Sequence, residues 1–325
     1  MGTAPAFGGN AAVLVTGATG FIGQALCQHL LASGFSVCAA ARRAGGPART
    51  IAVGDIGPAT DWSEALAGIE RVVHLAGWAH VAARGSEPVA AARRVNVDGT
   101  RRLAEAAAAK GVRRFVFLSS VKVNGEATGT TPFTERDPPR PEDVYGITKW
   151  EAEQALQQVA ANSGMEVVVL RAPLVYGPGV KGNFLRLAHL VARGVPLPLA
   201  SVRNRRSLLY LGNLIDAITA CLTSPRAAGQ TYFASDDEDV STPALAHALG
   251  VALAIPARLF PCPGALLELA ATVLGRRADI EKLIGSLQVD TSRIRNDLGW
   301  RAPCSFVAGL QDTARWYLEQ IAHKG

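Results

Sequence analysis

Residues Val13 to Gly23 read Val-Leu-Val-Thr-Gly-Ala-Thr-Gly-Phe-Ile-Gly, and no other stretch of the chain narrows the choice of fold so far. The apolar run Ala11 to Thr16 has the composition of a strand buried on both faces. Phe21 to Ser33 follows with helical spacing and stops at Gly34, a suitable C-cap. Between them the glycines serve three purposes. Gly17 turns the chain, Gly20 lets the backbone approach a pyrophosphate, and Gly23 lets helix and strand pack closely. The helix start then offers free N–H groups and a positive dipole end to phosphate. The spacing is G-x-x-G-x-x-G rather than G-x-G-x-x-G. Glycines alone also mark ordinary turns; the strand before and the helix after make this segment a dinucleotide site.

The same alternation continues. Phe35 to Ala41, Thr50 to Val53, Arg71 to Leu75, Arg114 to Leu118 and Glu166 to Arg171 read as strands; Thr100 to Lys110 and Tyr145 to Ala161 read as helices. Strands alternating with helices predict an α/β fold, a Rossmann-type doubly wound parallel sheet. Past Arg171 prolines cluster and the pattern loosens. Helical stretches persist at Phe184 to Arg193, Leu214 to Leu222, Pro243 to Leu253 and Phe306 to Ile321. At roughly 150 residues per domain, 325 residues suit two units. The expectation is a dinucleotide-binding domain over 1–172 and a smaller, mostly helical substrate lobe over 173–325, with segments near 205–235 returning to the first.

Composition removes other classes. Hydrophobic residues at 49% and charged residues at 18% exclude a disordered chain. The net charge of +6 lies in scattered pairs such as Arg42–Arg43 and Arg205–Arg206, without interleaved aromatics, so a small anionic substrate fits better than nucleic acid. Five dispersed cysteines, none in a C-x-x-C pair, argue against a disulfide framework and against a metal site. No apolar stretch reads as a membrane span, and the N-terminus lacks a signal-peptide pattern; the expectation is a cytoplasmic protein.

Thr16-Gly17-x-x-Gly20-x-x-Gly23 resembles the extended short-chain dehydrogenase/reductase superfamily, in its nucleotide-sugar epimerase/dehydratase group. The likeness runs along nearly the whole chain. It implies cofactor contacts at Gly17, Gly20, Phe21, Ile22 and Gly23, at Asp55 and Ile56 (the adenine side), at Leu75, Ala76 and Gly77, at Asn96, and at Pro173 and Val175. An NAD enzyme carries an acid at the end of the second strand. Here that position is Ala41, followed by Arg42 and Arg43, two guanidinium groups suited to a 2′-phosphate with no carboxylate to repel it. NADP is the expected cofactor, with NAD the alternative and the arginines then solvated surface.

Tyr145-Gly146-Ile147-Thr148-Lys149 places Tyr and Lys on one helical face. A nearby ammonium favours the phenolate and is expected to lower the Tyr pKa from about 10. Upstream, Phe115 to Ser120 is a buried strand ending in hydroxyls. Together these resemble the family's triad, with Ser120 as the catalytic hydroxyl and Ser119 its structural neighbour. The implied roles are Tyr145 as general acid/base, Lys149 as modulator of Tyr145 and contact to the nicotinamide ribose, and Ser120 as hydrogen-bond donor to the reacting oxygen. Dehydratases of the group carry an Asp-Glu pair just after the hydroxyl residue; here Val121 and Lys122 stand there.

The run Ser119 to Glu126 resembles a branch acting at C4 of UDP-N-acetylhexosamines. That implies a UDP-sugar substrate, contacted by Ser120, Tyr145, Asn183, Arg206 and His80. For Asn183, Arg206 and His80 the competing readings are a helix cap, a surface charge and a structural histidine. Glu135 and Asp137 read as turn residues. Ala79 stands where NAD-retaining galactose epimerases carry a lysine. The sequence therefore points to 4-keto reduction of a UDP-6-deoxy-N-acetylhexosamine for surface-polysaccharide synthesis. Redox-neutral 4-epimerisation and a non-catalytic NADP-binding sensor are the alternatives. The resemblance also implies a homodimer through the helices holding Thr100 to Lys110 and Tyr145 to Ala161.

Overall fold

The computed structural model describes residues 11–43, 45, 49–78, 86–263 and 283–322. Strands β1 (Ala12–Thr16), β2 (Ser36–Ala41), β3 (Arg49–Ala52), β4 (Arg71–His74), β5 (Arg114–Ser120), β6 (Glu166–Ala172) and β9 (Thr231–Phe233) form one parallel sheet in the order β3-β2-β1-β4-β5-β6-β9. The two remaining strands, β7 (Leu174–Tyr176) and β8 (Leu208–Tyr210), pair with each other. This is the doubly wound sheet that the strand–helix alternation predicts.

The helices are α1 (Phe21–Ala32), α2 (Ser86–Arg93), α3 (Thr100–Ala109), α4 (Val144–Ser163), α5 (Gly182–Ala192), α6 (Leu211–Thr223), α7 (Thr242–Ala252), α8 (Ser292–Leu298) and α9 (Phe306–Ala322); one π turn, Arg94–Gly99, joins α2 to α3. Successive strand residues point to opposite faces, and the core divides accordingly. Val13, Val15, Val116, Leu118, Val168 and Leu170 meet Leu26 and Leu30 of α1 and Leu214 and Ile218 of α6. Leu14, Phe115, Phe117, Val167 and Val169 meet Leu103 of α3 and Ala152 and Leu156 of α4. A third cluster, around Phe184, Leu187, Leu249, Phe306 and Leu310, holds α5, α7 and α9 together.

The central strands start within a residue of the expected bounds, and β5 runs two residues past its expected end at Leu118. The third sits one residue early, and β7, β8 and β9, of three residues each, carry no periodicity to read. After β9 the chain reaches the site again. Residues 286–290 run between two other segments: Phe133 pairs with Val289 on one side, and Arg206 pairs with Leu287 on the other. Ser207 N–H donates to the Leu287 carbonyl at 2.9 Å and Phe133 N–H to the Gln288 carbonyl at 2.9 Å. Among the described residues no helix is long and apolar enough to cross a membrane, and no group of His, Cys, Asp and Glu side chains could hold a metal.

Candidate active site

Among the expected cofactor residues, Gly17 to Gly23 follow the C-terminal end of β1 and Leu75 to Gly77 that of β4, where Gly17 and Ala76 lie against each other. Helix α1 begins at Gly20 with no side-chain cap and no acid in its first turn. Its first amides are therefore left to an anion. Gly23 presses on the turn so closely that a Cβ there would stand 2.1 Å from the Gly17 carbonyl oxygen. Phe21 and Ile22, both half-buried, pack against the core on the α1 side.

Leu75, Ala76 and Gly77 leave the end of β4, held by a continuous chain of neutral hydrogen bonds. The Ala76 amide donates to Thr16 Oγ1 at 3.2 Å, and Thr16 Oγ1 meets His74 Nδ1 at 2.6 Å. His74 Nε2 meets Thr100 Oγ1 at 2.9 Å, and Thr100 donates to the Asn96 carbonyl at 2.7 Å. The outer donors fix the direction of the rest, so His74 is neutral with its proton on Nε2. Burial, and then the Lys149 charge, push its pKa down to about 3. Asn96 Oδ1 accepts from Trp78 N–H at 2.7 Å, and Asn96 Nδ2 donates to Thr148 Oγ1 at 3.0 Å.

Lys149 is buried and donates Nζ–H to the Leu118 carbonyl at 2.8 Å. Burial lowers its pKa to about 8, against the pull of Glu153. Its ammonium stands 4.2 Å from the Phe117 ring centroid and 6.0 Å from that of Tyr145. Tyr145 corrects a sequence expectation. Burial, and then the Asp143 charge, push the phenol up to about 12 rather than down. The ammonium is turned to a carbonyl and stands 6.0 Å from the Tyr145 ring, so it does not offset burial and Asp143. The two terminal serines of β5 differ. Ser119 Oγ donates to Glu153 Oε1 at 2.5 Å, whereas Ser120 Oγ accepts from Lys122 N–H at 3.3 Å.

Charged residues that the motifs did not single out hold this side of the site. Glu153 is fully buried on α4, paired through both oxygens with Arg171 of β6 at 3.1 and 2.6 Å; Arg171 also donates to Asn124 Oδ1 at 2.9 Å. The spacing of Lys149 and Glu153, four apart on one helix, was the available signal. Asp137 is a turn residue, its carboxylate accepting from the Thr134 amide at 2.6 Å, whereas Glu135 does more, accepting from the distant Phe233 amide at 2.9 Å.

Other expected residues lie farther out. Pro173 is buried and Val175 half-buried at the exit of β6. Asn183 is exposed at the start of α5. Arg206 is half-buried, donates to the Gly285 carbonyl at 2.8 Å, and feels the Glu126 charge. His80 lies outside the described residues. Ile56 is half-buried, whereas Asp55 and Arg42 are exposed and paired at 3.2 Å. A carboxylate thus does stand beside the Arg42–Arg43 pair, contrary to the expectation that none is near. The loop after β3 comes alongside the end of β2 because those strands are neighbours in the sheet.

The pattern of the NAD dependent epimerase/dehydratase family matches residues 13–234. The chain belongs to this family. A UDP-glucose 4-epimerase of Vibrio cholerae is 42% identical over 313 residues, covering 94% of this chain and 95% of that protein. A dTDP-glucose 4,6-dehydratase of Streptomyces griseus is 30% identical over 327 residues, covering 94% and 93%. Among solved structures, MoeE5 in complex with UDP-glucose and NAD matches with a TM-score of 0.78 at 27% identity, over 95% of this chain and 99% of that one. The site also fits the dinucleotide such family members bind. Uncapped amides face the glycine turn, and a Cβ on Gly77 would stand 3.3 Å from Asn96 Oδ1 and 3.5 Å from Lys149 Nζ, in space that glycine keeps open beside Lys149.

Proposed function

We propose that this enzyme of the epimerase/dehydratase family inverts C4 of a UDP-sugar, in the N-acetylhexosamine class, using NAD. The observation that carries the reading is the likeness to the Vibrio cholerae UDP-glucose 4-epimerase along 94% of the chain. It reverses the order that the sequence alone suggested. Nicotinamide, when bound, supplies the hydride acceptor and donor. Tyr145 takes the C4 hydroxyl proton as the sugar is oxidised and returns one as it is reduced. Ser120 donates a hydrogen bond to the same oxygen, where charge develops. Lys149 holds the end of β5 through Leu118 and faces the cofactor side. Asn183 and Arg206 are assigned to the diphosphate, His80 to the sugar, and the remaining glycine-loop and strand-end residues to the dinucleotide. The domain boundary at 172/173 belongs to the same reading.

Dehydration is disfavoured, because the residue two positions after Ser120 is Lys122, tied to Glu126 and Asp143 at 2.7 and 2.5 Å. Reduction of a 4-keto sugar with NADPH is the second reading. Arg42 and Arg43, both exposed after Ala41, favour it.

One experiment separates the two. The purified enzyme is given UDP-N-acetylglucosamine, and the C4 epimer is followed by chromatography together with reduced-nicotinamide absorbance. Interconversion without net cofactor loss is the expected result, and Tyr145→Phe should cut it at least about a thousandfold, since general acid/base catalysis and the proton path go together. Mole-for-mole NADPH consumption with a 4-keto sugar and no interconversion would install the reductase.

A further inference from the structure

Lys122 makes one contact with Ser120 and two with the start of the Tyr145 helix. Its amide donates to Ser120 Oγ at 3.3 Å. Its carbonyl lies under Gly146, where a Cβ would approach that oxygen to 2.6 Å, so only glycine lets the helix start sit this close. Its ammonium donates to Asp143 Oδ2 at 2.5 Å, while the other oxygen of the same carboxylate caps α4 by accepting from Gly146 N–H at 2.7 Å. Glu126 Oε1 also holds the ammonium, at 2.7 Å. The lysine side chain is 24% exposed, so this is not an ordinary surface pair of negligible strength.

We propose that Lys122 is a positioning residue that fixes the Ser120 hydroxyl loop against the start of the helix carrying Tyr145, and that its charge masks Asp143 from the phenol. The proposal rests on the acid/base reading of Tyr145 given above. Ser120 is two residues before Lys122, and Tyr145 two residues after Asp143, so one ion pair spans both reacting side chains. The Asp143 charge acts on Tyr145 directly, and the Lys149 ammonium stands 6.0 Å from its ring; Lys122 and Glu126 bear on it through Asp143, and Glu142 accepts from the Glu126 amide at 3.4 Å. Of these, the Asp143 carboxylate is the charge that raises the Tyr145 pKa, after burial. Burial works against the Lys122 ammonium, but the two carboxylates outweigh it, and its pKa stands above the ordinary lysine value. The ammonium and the Asp143 carboxylate are thus charged together across the neutral range.

A purely structural lysine and a charge-masking one predict different pH profiles. C4 interconversion by the full-length, NAD-loaded enzyme is measured across neutral to alkaline pH for wild type, Lys122→Met, Lys122→Arg, Asp143→Asn and Tyr145→Phe. Oxidation needs the phenolate, so activity rises with pH below the Tyr145 titration, and a shift of that titration displaces the rising limb by the same amount. Lys122→Met should unmask Asp143, move the acid limb up by about one pH unit and lower kcat near neutrality about tenfold, with KM changed less than about threefold. Lys122→Arg should restore both limb and kcat. Asp143→Asn keeps an oxygen for the Gly146 cap and removes the charge, so its limb should move down. That variant also decides the matter should Lys122→Met not fold. An unshifted limb in Lys122→Met, an arginine variant as impaired as the methionine one, or limbs moving the same way in Lys122→Met and Asp143→Asn would overturn the proposal. Activity surviving in Tyr145→Phe would instead overturn the acid/base reading itself.

Discussion

The two flanks of β5 are held by opposite kinds of chemistry. Toward β4, the loop Leu75 to Gly77 hangs on Thr16, His74, Thr100 and Asn96, a chain in which no member carries charge. Toward β6, Ser119, Glu153, Arg171 and Asn124 form a buried network built on a full ion pair. Lys149 lies between, its ammonium close to both. A second charge beside a desolvated lysine would repel it unless it were negative, so the neutral flank depends on His74 staying unprotonated. Glu153, on the charged flank, favours the ammonium. The same lysine thus needs a silent neighbour on one side and a balanced pair on the other. Each flank has its own weakness: the neutral one fails when a proton arrives, and the charged one fails when a partner is lost.

The largest effect should come from the charged flank. Arg171→Ala strands Glu153 without its counter-ion and should cost about 3–5 kcal/mol in urea denaturation. Replacing Glu153 and Arg171 together by methionine should cost clearly less than that single change, because no charge is then left unpaired. A double variant worse than the single would show that the pair is not the unit.

The neutral flank should show itself in pH. Folded His74 titrates near 3 against an ordinary value of 6.5. The folded chain therefore binds fewer protons between those values, so stability is full above about pH 6.5 and drains as pH falls through that window. The limiting slope is about 1.4 kcal/mol per pH unit. His74→Asn should flatten that slope in pH-dependent thermal melts. An unchanged slope would mean that the acid sensitivity comes from carboxylates elsewhere.

The smallest effect marks the edge of the comparison. Arg93 makes a two-pronged contact with Glu151 on the surface of α4 at 3.0 and 2.8 Å. Its geometry resembles that of Arg171 on Glu153, but both side chains reach solvent. Arg93→Ala should cost less than about 1 kcal/mol. A loss rivalling that of Arg171→Ala would show that burial is not what separates the two pairs.

Much of the sheet was legible because its signals are local. A strand buried on both faces is a continuous apolar run, and a glycine turn before a helix is a short motif. Tyr145 and Lys149 stand out by their four-residue spacing on one helix, and only the likeness to the family's triad joins them to Ser120 at a strand end. What could not be read depends on pairing across distance. Glu153 and Arg171 look like an ordinary helix charge and a strand-end arginine until β5 and β6 bring them together. Asp55 reaches Arg42 only because β3 lies beside β2. The pKa of Tyr145 failed as an expectation for a related reason: four-residue spacing gives the direction of Lys149 but not its burial, nor its hydrogen bond to Leu118.

β9 lies next to β6 but reaches the sheet only after β7, α5, β8 and α6 have been laid down. A chain emerging from the ribosome would thus present β6 as a bare strand edge, with Val167, Val168, Val169 and Leu170 in a row, until Thr231–Phe233 is synthesised. Unpaired apolar edges of this kind invite association between chains. The interval before the seventh strand arrives is where a nascent polypeptide of this topology most needs a chaperone, and where slow translation would do the most harm to its yield.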